Sequence, residues 1–520
     1  MIEGYGGVYA TGSATLTNFG TIEGDGGTAV QFKSPGDALV VEAGSTFVGS
    51  ILGGGDTLDL ASGVGTLSLL AGDDTVVSGS MATTTFQNFG TVEVGPGAVF
   101  TLAGSDTVVA GQTLVDDGSL SVPGVLTVTG TLTVTGSLGG AGTVAISGGT
   151  ANLDAGTSLT VADVTVSGAA KMNVNTSLAY AGKWTQSAGT LSVAASDVLT
   201  FSGSGDSFAG TMATSGEVVV SGVTATVGSA GLSLTGTGVV MLSNNAASEI
   251  TGATGASTLT NASHIEGAGQ LGGGSLLLVN KAGAVIESVD TIALIVNTGA
   301  NTVSNAGVIE SAGTGGMTIA GAVSNSGALV AGSSTLTVQG AVTGTGIGEV
   351  ENGTLALRSG FTQNVTFTGG SKGTLALAGS QAYSGVISGF STTGATFLDL
   401  QDIIFADLLP ASSGYSGNTT SGILTVKDSL GHTATIRLAG NYTASVFAFS
   451  KDTGGGTMVT DPTKPPPAAA PHLAAPPLAH TAFVQAMASL ADPGSARAVA
   501  WTHDHHVSPM MLAAPGLSTA

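Results

Sequence analysis

A short phrase that recurs six times constrains the fold of this chain more than any single residue does. The copies are LTNFGTIE (16–23), FQNFGTVE (86–93), LTNASHIE (259–266), LVNKAGAVIE (278–287), VSNAGVIE (303–310) and VSNSGALV (323–330). In the last four copies the Asn residues, at positions 261, 280, 305 and 325, are separated by 19, 25 and 20 residues. A near-regular step of this size is typical of stacked structural units. We therefore expect one phrase per turn of a β-solenoid, with Asn at a turn, where left-handed backbone is tolerated.

Short stretches between the copies alternate apolar and polar residues. The clearest stretch, residues 125–138, is expected to place Leu126, Val128, Leu132, Val134 and Leu138 on one face and its Thr and Ser residues on the other. A period of two predicts half-buried strands, and the intervening Gly pairs indicate turns. Strands of three to five residues repeated every ~20 residues predict an all-β fold, a parallel β-helix of roughly 18 turns and about 85 Å. At equivalent turns, Asn is expected either to form a ladder of amides or simply to serve as a turn residue.

Composition and charge exclude several classes of protein. A hydrophobic fraction of 42% with only 8% charged residues argues against disorder over most of the chain. The net charge of −22 argues against a nucleic-acid partner, because phosphates require a basic surface. The absence of Cys excludes disulfides and thiol catalysis. No run of about 18 apolar residues exists, so we expect no integral membrane segment.

The phrases at residues 16–23 and 297–310 resemble the repeats of bacterial secreted and surface β-helix proteins, a group that includes autotransporter passengers and haemagglutinin-like adhesins. This resemblance implies a right-handed parallel β-helix and a role in adhesion, aggregation or surface coating. It also implies a location outside a Gram-negative cell or on its outer surface. The chain departs from complete autotransporters because too few residues follow position 390 for an outer-membrane barrel.

We expect three regions along the chain. Residues 1–390 form the solenoid, and residues 391–461 form a small β cap in which a hairpin spans 422–438 with its turn at 428–432. Residues 462–520 are rich in Pro, Ala and His and are expected to be a disordered tail with a short helix at 481–491. The cap resembles the C-terminal modules of large secreted α-proteobacterial repeat proteins, which implies export by type I secretion. The first residues lack a signal peptide, and repeats begin near Leu16, so we expect an N-terminus shorter than that of its relatives.

Few motifs indicate specific chemistry. The segments 53–58 and 71–76 resemble partial glycine–aspartate calcium repeats, which makes Asp56, Asp73 and Asp74 candidate calcium ligands, with a solvated polar turn as the alternative. Residues 369–373 match the nucleophile-elbow pattern, but a strand follows them, so a turn is expected. The His-rich residues 503–506 have side chains of the types that bind transition metals, but a solvated tail is favoured over a metal site. His264 and His432 are each interpreted as isolated surface or turn residues.

The sequence favours a protein that is not an enzyme and has no required cofactor. Its expected role is passive: a rod exposes a long Thr-, Ser- and Asn-rich face that binds a host or abiotic surface by multivalency, or associates with itself. A polysaccharide-acting β-helix enzyme is the first alternative, although the recurrent Glu is interpreted as a structural turn residue. A non-functional fragment of a larger exported protein is the second alternative.

Overall fold

The chain folds as the predicted β-solenoid. The structure is a computed structural model that describes residues 1–70, 73–368 and 372–463. Parallel strands stack into about 19 turns, close to the number expected from the sequence. Among the described residues, helical structure is limited to three short 3-10 helices at Ser380–Ala382, Phe405–Asp407 and Pro410–Ser412. No described helix has the length and apolar character needed to cross a bilayer.

Each regular turn has three sides. In one turn, Thr113–Asp116 forms the first face, Ser119–Ser121 the second and Val125–Val128 the third. Each strand pairs in register with the strand of the same face in the next turn, for example Thr113 with Thr131 and Ser119 with Ser137. Side chains therefore stack in straight rows along the solenoid, about 4.8 Å apart.

The strand bounds follow this three-sided plan. The first face contains Thr15–Asn18, Ala38–Val41, Thr113–Asp116, Thr131–Val134, Thr150–Leu153, Lys171–Val174, Thr190–Val193, Thr258–Asn261, Leu277–Asn280, Val303–Asn305, Val323–Asn325 and Val342–Thr343. The second face contains Ile2–Gly4, Ser119–Ser121, Leu178–Tyr180, Val198–Phe201, Glu217–Val220, Val239–Leu242, His264–Gly267, Val285–Ser288, Val308–Ser311, Ala328–Ala331, Ile347–Val350, Asn364–Phe367 and Val386–Ser388. The third face contains Val8–Ala10, Thr84–Gln87, Asp106–Val108, Val125–Val128, Lys183–Gln186, Glu249–Gly252, Gly269–Gly272, Leu294–Val296, Met317–Ile319, Thr335–Val338, Thr354–Leu357, Thr374–Leu377 and Phe397–Leu400. Longer strands bend around a corner and serve two faces: Thr21–Phe32, Thr46–Leu52, Thr57–Leu70, Thr91–Leu102, Ser137–Ser147, Ser158–Ser167, Asp206–Thr214 and Thr224–Thr235.

The alternating stretch at residues 125–138 was expected to present one apolar face, but the structure divides it among three strands. It contains Val125–Val128, Thr131–Val134 and the start of Ser137–Ser147, which lie on three different faces. Val125 is exposed, whereas five of its apolar side chains are buried because they point inward from three directions: Leu126, Val128, Leu132, Val134 and Leu138. The chain bends at Gly130, where an added Cβ would lie 2.2 Å from a backbone carbonyl oxygen of the neighbouring turn. Only Gly fits such a close approach of two backbones.

Antiparallel pairing occurs at two places. Near the N-terminus, the strand Asp74–Gly79 pairs antiparallel with the strand before it, Thr57–Leu70, and with the strand after it, Thr84–Gln87. The first pair forms an inserted hairpin. This insertion interrupts the regular turns, which the repeat pattern did not predict.

The second place is the C-terminal end. The predicted hairpin is confirmed as Ser421–Lys427 and Thr433–Ala439, and its second strand pairs in parallel with Val386–Ser388. The remaining C-terminal strands are Gly414–Gly417, Ala448–Lys451 and Thr457–Thr460, and the last of these pairs antiparallel with Phe397–Leu400. The predicted tail helix at 481–491 and the residues from 464 onward lie outside the described residues.

Candidate functional site

Four Asn side chains of the repeated phrase form a continuous ladder at the corner between the first and second faces. Nδ2 of Asn261 donates to Oδ1 of Asn280 at 2.9 Å. Asn280 donates in the same way to Asn305 at 2.8 Å, and Asn305 donates to Asn325 at 2.7 Å. All four side chains are buried. The amide ladder expected from the sequence is confirmed, and Asn is more than a turn residue here.

The ladder also fixes the start of each second-face strand. Nδ2 of Asn280 donates to the carbonyl oxygen of Val308 at 3.0 Å, and Asn305 makes the equivalent bond to Ala328 at 3.1 Å. At the C-terminal end, Asn325 donates to Oε1 of Gln363 at 2.8 Å, and Gln363 donates back to the carbonyl oxygen of Asn325. Buried amides need such partners, so the ladder holds successive turns in register.

The first two copies of the phrase do not join this ladder. Asn18 lies at the corresponding corner but donates to the carbonyl oxygen of Thr46 at 3.3 Å. Asn88 follows a third-face strand, Thr84–Gln87, and has a φ of 58°. The six copies therefore do not occupy equivalent positions, because the inserted hairpin shifts the second copy to another corner.

The Glu that closes the phrase lies on a strand and forms an outward row on the second face. Glu266 pairs in register with Glu287, and Glu287 pairs with Glu310. The interpretation of this Glu as a turn residue is wrong. Burial raises the pKa of Glu310 above its ordinary value, and the charge of Glu287 raises it further. The row therefore concentrates negative charge along one face.

His264 lies beside this row and contacts two of its members. Its Nε2 is 3.6 Å from Oε2 of Glu266 and 3.5 Å from Oε2 of Glu287. His264 and Glu266 lie two positions apart on one strand, whereas Glu287 belongs to the next turn. Burial raises the pKa of Glu266, while His264 lowers it. The interpretation of His264 as an isolated residue is wrong. The sequence places His264 two residues before Glu266, but its contact with Glu287 depends on the register between turns.

A second group of carboxylates lies near the N-terminal end of the first face. Asp59 pairs in register with Glu93, so the two side chains are neighbours on the outer surface. Burial raises the pKa of Glu93, as do the charges of Asp59 and Asp117 and a hydrogen bond with Asp117. Burial also raises the pKa of Asp59. Repulsion among these groups favours retention of a proton within the cluster.

The adjacent pair Asp116 and Asp117 is split between the inside and the outside of the solenoid. Asp116 is fully buried in register with Val94 and Val134, and neither of its carboxyl oxygens has a hydrogen-bond partner among the described residues. Burial and the neighbouring Asp117 raise the pKa of Asp116 to about 7. Asp116 is therefore a destabilising core residue, whereas Asp117 joins the outer carboxylates.

The first face carries a row made up mostly of hydroxyl side chains, called here the threonine row, which Lys171 interrupts between Thr150 and Thr190. In register from turn to turn it contains Thr57, Thr91, Thr113, Thr131, Thr150, Lys171, Thr190, Thr211, Ser233 and Thr260. Its Thr side chains are half-buried. None of the hydroxyls from Thr57 to Thr211 has a side-chain hydrogen bond to another described residue, so they face outward with bonding capacity unused. The neighbouring row differs, since Asn173 donates to Asn152 at 2.8 Å.

The candidate calcium ligands lie in the N-terminal turns. Oδ1 of Asp56 accepts from the backbone N–H of Gly36 at 2.8 Å. Oδ1 of Asp74 accepts from the backbone N–H of Asn88 at 3.0 Å, and Asp73 has a φ of 59°. The carboxylates of Asp56 and Asp74 therefore already accept hydrogen bonds from the backbone. Calcium binding by Asp56, Asp73 and Asp74 stays a prediction.

The other motifs contribute nothing further to the sites. The pattern at 369–373 falls partly, and the His-rich residues 503–506 fall entirely, outside the described residues. His432 lies in the turn of the C-terminal hairpin, where its Nδ1 is 2.7 Å from Oδ2 of the buried Asp428.

Comparisons of the chain with models of protein families, with curated proteins and with solved structures found no match.

Proposed function

We propose that this chain is a secreted or surface-exposed structural or adhesive protein of a Gram-negative bacterium. It binds a host or abiotic surface through many weak contacts, or associates with further copies of itself. The observation that carries the proposal is the threonine row, in which unused hydroxyls repeat along the first face from Thr57 to Thr211.

The row suits contact with an extended, periodic surface. Hydroxyls in adjacent turns, from Thr57 to Thr150 and again from Thr190 to Thr211, are about 4.8 Å apart and are held by the backbone ladder, so ordering them on binding costs little entropy. One hydrogen bond contributes only about 1 kcal/mol net. Several bonds made together raise the total affinity by multivalency. Polysaccharides and hydroxylated minerals present repeated hydrogen-bonding groups of this kind and are the favoured surfaces.

The test replaces hydroxyls without altering the shape of the strands. In the first variant, four members of the row are changed together: Thr113→Val, Thr131→Val, Thr150→Val and Thr190→Val. Val keeps the β-branched shape and suits a strand. The matched control changes four Thr residues of the third face in the same part of the solenoid: Thr127→Val, Thr165→Val, Thr185→Val and Thr226→Val. Binding of the purified chain to cellulose, chitin and silica particles is measured by depletion from solution.

The expected result is at least a tenfold loss of binding by the first-face variant and little change in the control. Loss of four hydrogen bonds of about 1 kcal/mol predicts an effect of this size or larger. Circular dichroism checks that both variants keep their strands. Unchanged binding by the first-face variant, or no binding of the parent chain to any of these surfaces and to cells, would contradict the proposal.

The proposed location is tested separately. Culture medium, outer surface and cytosol of the source bacterium are probed with an antibody against the chain. Protein in the medium or on the surface supports the proposal. Protein confined to the cytosol would oppose it and would favour the alternative of a non-functional fragment.

A polysaccharide-acting enzyme is the second candidate, and one observation favours it. Asp59, Glu93 and Asp117 lie together with raised carboxyl pKa values at Asp59 and Glu93, and paired carboxylates serve glycoside hydrolysis. This candidate predicts release of reducing ends from a polysaccharide and its loss in Glu93→Gln. The adhesive proposal predicts no such release by the parent chain.

A further inference from the structure

We propose that His264, Glu266 and Glu287 bind a divalent transition-metal ion, with zinc as the favoured ion. The site lies on the second face, whereas the surface-binding proposal concerns the first face, so the two proposals stand or fall independently. The structure brings together one imidazole and two carboxylates, and the ligand atoms of these three residues all lie within 4.8 Å of one another.

The separation of the ligand atoms fits a metal better than it fits direct hydrogen bonds. Nε2 of His264 is 3.6 and 3.5 Å from the two Glu oxygens, beyond the usual hydrogen-bond range. Zinc binds N and O ligands at about 2.1 Å in tetrahedral geometry, which places neighbouring ligand atoms about 3.4 Å apart. The two distances from His264 are therefore already close to this value, and the two Glu oxygens, which lie within 4.8 Å of each other, complete the set of three ligands.

The ring nitrogen Nε2 of His264 is available to bind a metal ion. Nε2 of His264 is shielded from solvent and has no hydrogen-bond partner among the described residues. A sheltered ring nitrogen without a partner is costly unless a proton donor, an acceptor or a metal engages it. Neutral imidazole is the commonest metal ligand in proteins, so a metal accounts for this nitrogen.

The backbone holds the three ligands in place. His264 and Glu266 project from the same side of one strand, and Glu287 is in register with Glu266 on the next turn. The adjacent Asn261–Asn280 ladder bond fixes the corner from which these strands start. Ligands carried by paired strands are more precisely positioned than ligands on loops.

Charge and ligand type select the class of ion. The two carboxylates lie beside further acidic residues, including Glu310 in register with Glu287, and their combined negative charge attracts a divalent cation. The imidazole favours zinc, cobalt, nickel or copper, whereas calcium and magnesium prefer sites made only of oxygen ligands. Three protein ligands leave at least one coordination position for water.

The test uses the full chain and removes the competing tail histidines. All variants are built in a background with His472→Ala, His480→Ala, His503→Ala, His505→Ala and His506→Ala, treated with EDTA and dialysed. Zinc chloride is titrated by calorimetry, and calcium chloride is titrated in parallel. The ligand variants are His264→Gln and Glu287→Gln. The matched control is Glu349→Gln, which removes the same charge from the same outward row, separated from Glu310 by Val330.

The expected result is one zinc ion per background chain, with binding weakened about tenfold or more by each ligand variant and unchanged by Glu349→Gln. Calcium should not displace zinc. Equal zinc binding by the background chain, His264→Gln and Glu287→Gln would overturn the proposal, as would no zinc binding by the background chain. In that case the three side chains form only a surface cluster of polar contacts, which contributes little to stability at such exposure. Circular dichroism of each variant distinguishes loss of the site from loss of the fold.

Discussion

At the scale of single residues, the solenoid accepts a carboxyl group in its core at a cost that depends on pH. Asp116 is fully buried between Val94 and Val134, without a hydrogen-bond partner for either side-chain oxygen among the described residues. Deprotonation would leave an unpaired charge in an apolar environment, which is strongly unfavourable. The raised pKa of Asp116, about 7, reflects this environment.

This residue gives a pH-dependent prediction. As pH rises from the ordinary Asp pKa of 3.8 to about 7, the unfolded chain releases the Asp116 proton while the folded chain retains it. The free energy of unfolding therefore falls over this interval, by on the order of 4 kcal/mol, and changes no further above it. Asp116→Val removes this pH-dependent loss of stability and places a third Val in register between Val94 and Val134. We expect it to raise the thermal midpoint at pH 8 much more than at pH 4.

Thermal unfolding followed by circular dichroism at the two pH values measures the effect. Asp117→Asn is the control, since its side chain lies on the outer surface and should give a smaller difference between the two pH values. An equal gain from Asp116→Val at pH 4 and pH 8 would show that its carboxyl group does not titrate in the core.

At the scale of the structural element, the Asn ladder is the clearest local source of stability. Asn305 accepts from Asn280, donates to Asn325 and donates to the carbonyl oxygen of Ala328, all at a buried corner. Asn305→Ala leaves these three partners without their bonds. Each buried unsatisfied group costs about 1–3 kcal/mol, so we expect a loss of several kcal/mol and a clear fall in the thermal midpoint.

The neighbouring position supplies the control for this prediction. Ser304 precedes Asn305 on the same strand and is exposed. Ser304→Ala should change the free energy of unfolding by less than about 0.5 kcal/mol. Urea unfolding curves of the two variants are compared directly. Similar small effects from both would mean that the ladder bonds contribute little beyond what water provides.

The elements also show what the sequence could and could not predict. The alternation of apolar and polar residues is enough to predict which side chains are buried, so Leu132 and Val134 were correctly expected to be buried. Their assignment to faces was wrong, because the bend at Gly130 depends on contact with the previous turn. The ladder was predictable because identical Asn residues recur at one corner. The contact of His264 with Glu287 was not predictable, because it depends on how two turns of unequal length align with each other.

At the scale of the whole molecule, stacked turns define a rod-like unit. About 19 turns at roughly 4.8 Å each give a length near 90 Å, close to the 85 Å expected from the repeats. The strands of each regular turn pair with those of the adjacent turns, so stability accumulates along the stack. Surface rows of this length allow many contacts with one partner surface, whereas a single catalytic centre would use only a few turns.

The charge of the whole chain governs how such rods meet. With 33 acidic and 11 basic residues, the net charge of −22 opposes side-by-side association at pH 7. Two members of the outward row on the second face, Glu266 and Glu310, lose their charges at higher pH than ordinary glutamates, because burial raises their pKa values. Acidification therefore weakens repulsion along this row, and salt screens the charge that is left.

We therefore expect the purified chain to be monomeric at pH 7 in low salt and to associate reversibly as pH falls toward its isoelectric point near 4.3. Sedimentation velocity across pH 7, 6 and 5 measures the change in mass, and added salt at pH 7 should shift the distribution in the same direction. The double variant Glu266→Gln and Glu310→Gln should associate at a higher pH than the parent chain does, because two charges of the row are absent at every pH. Parent and variant chains that stay monomeric at all three pH values would rule out self-association through this face and would leave attachment to a foreign surface as the route of adhesion.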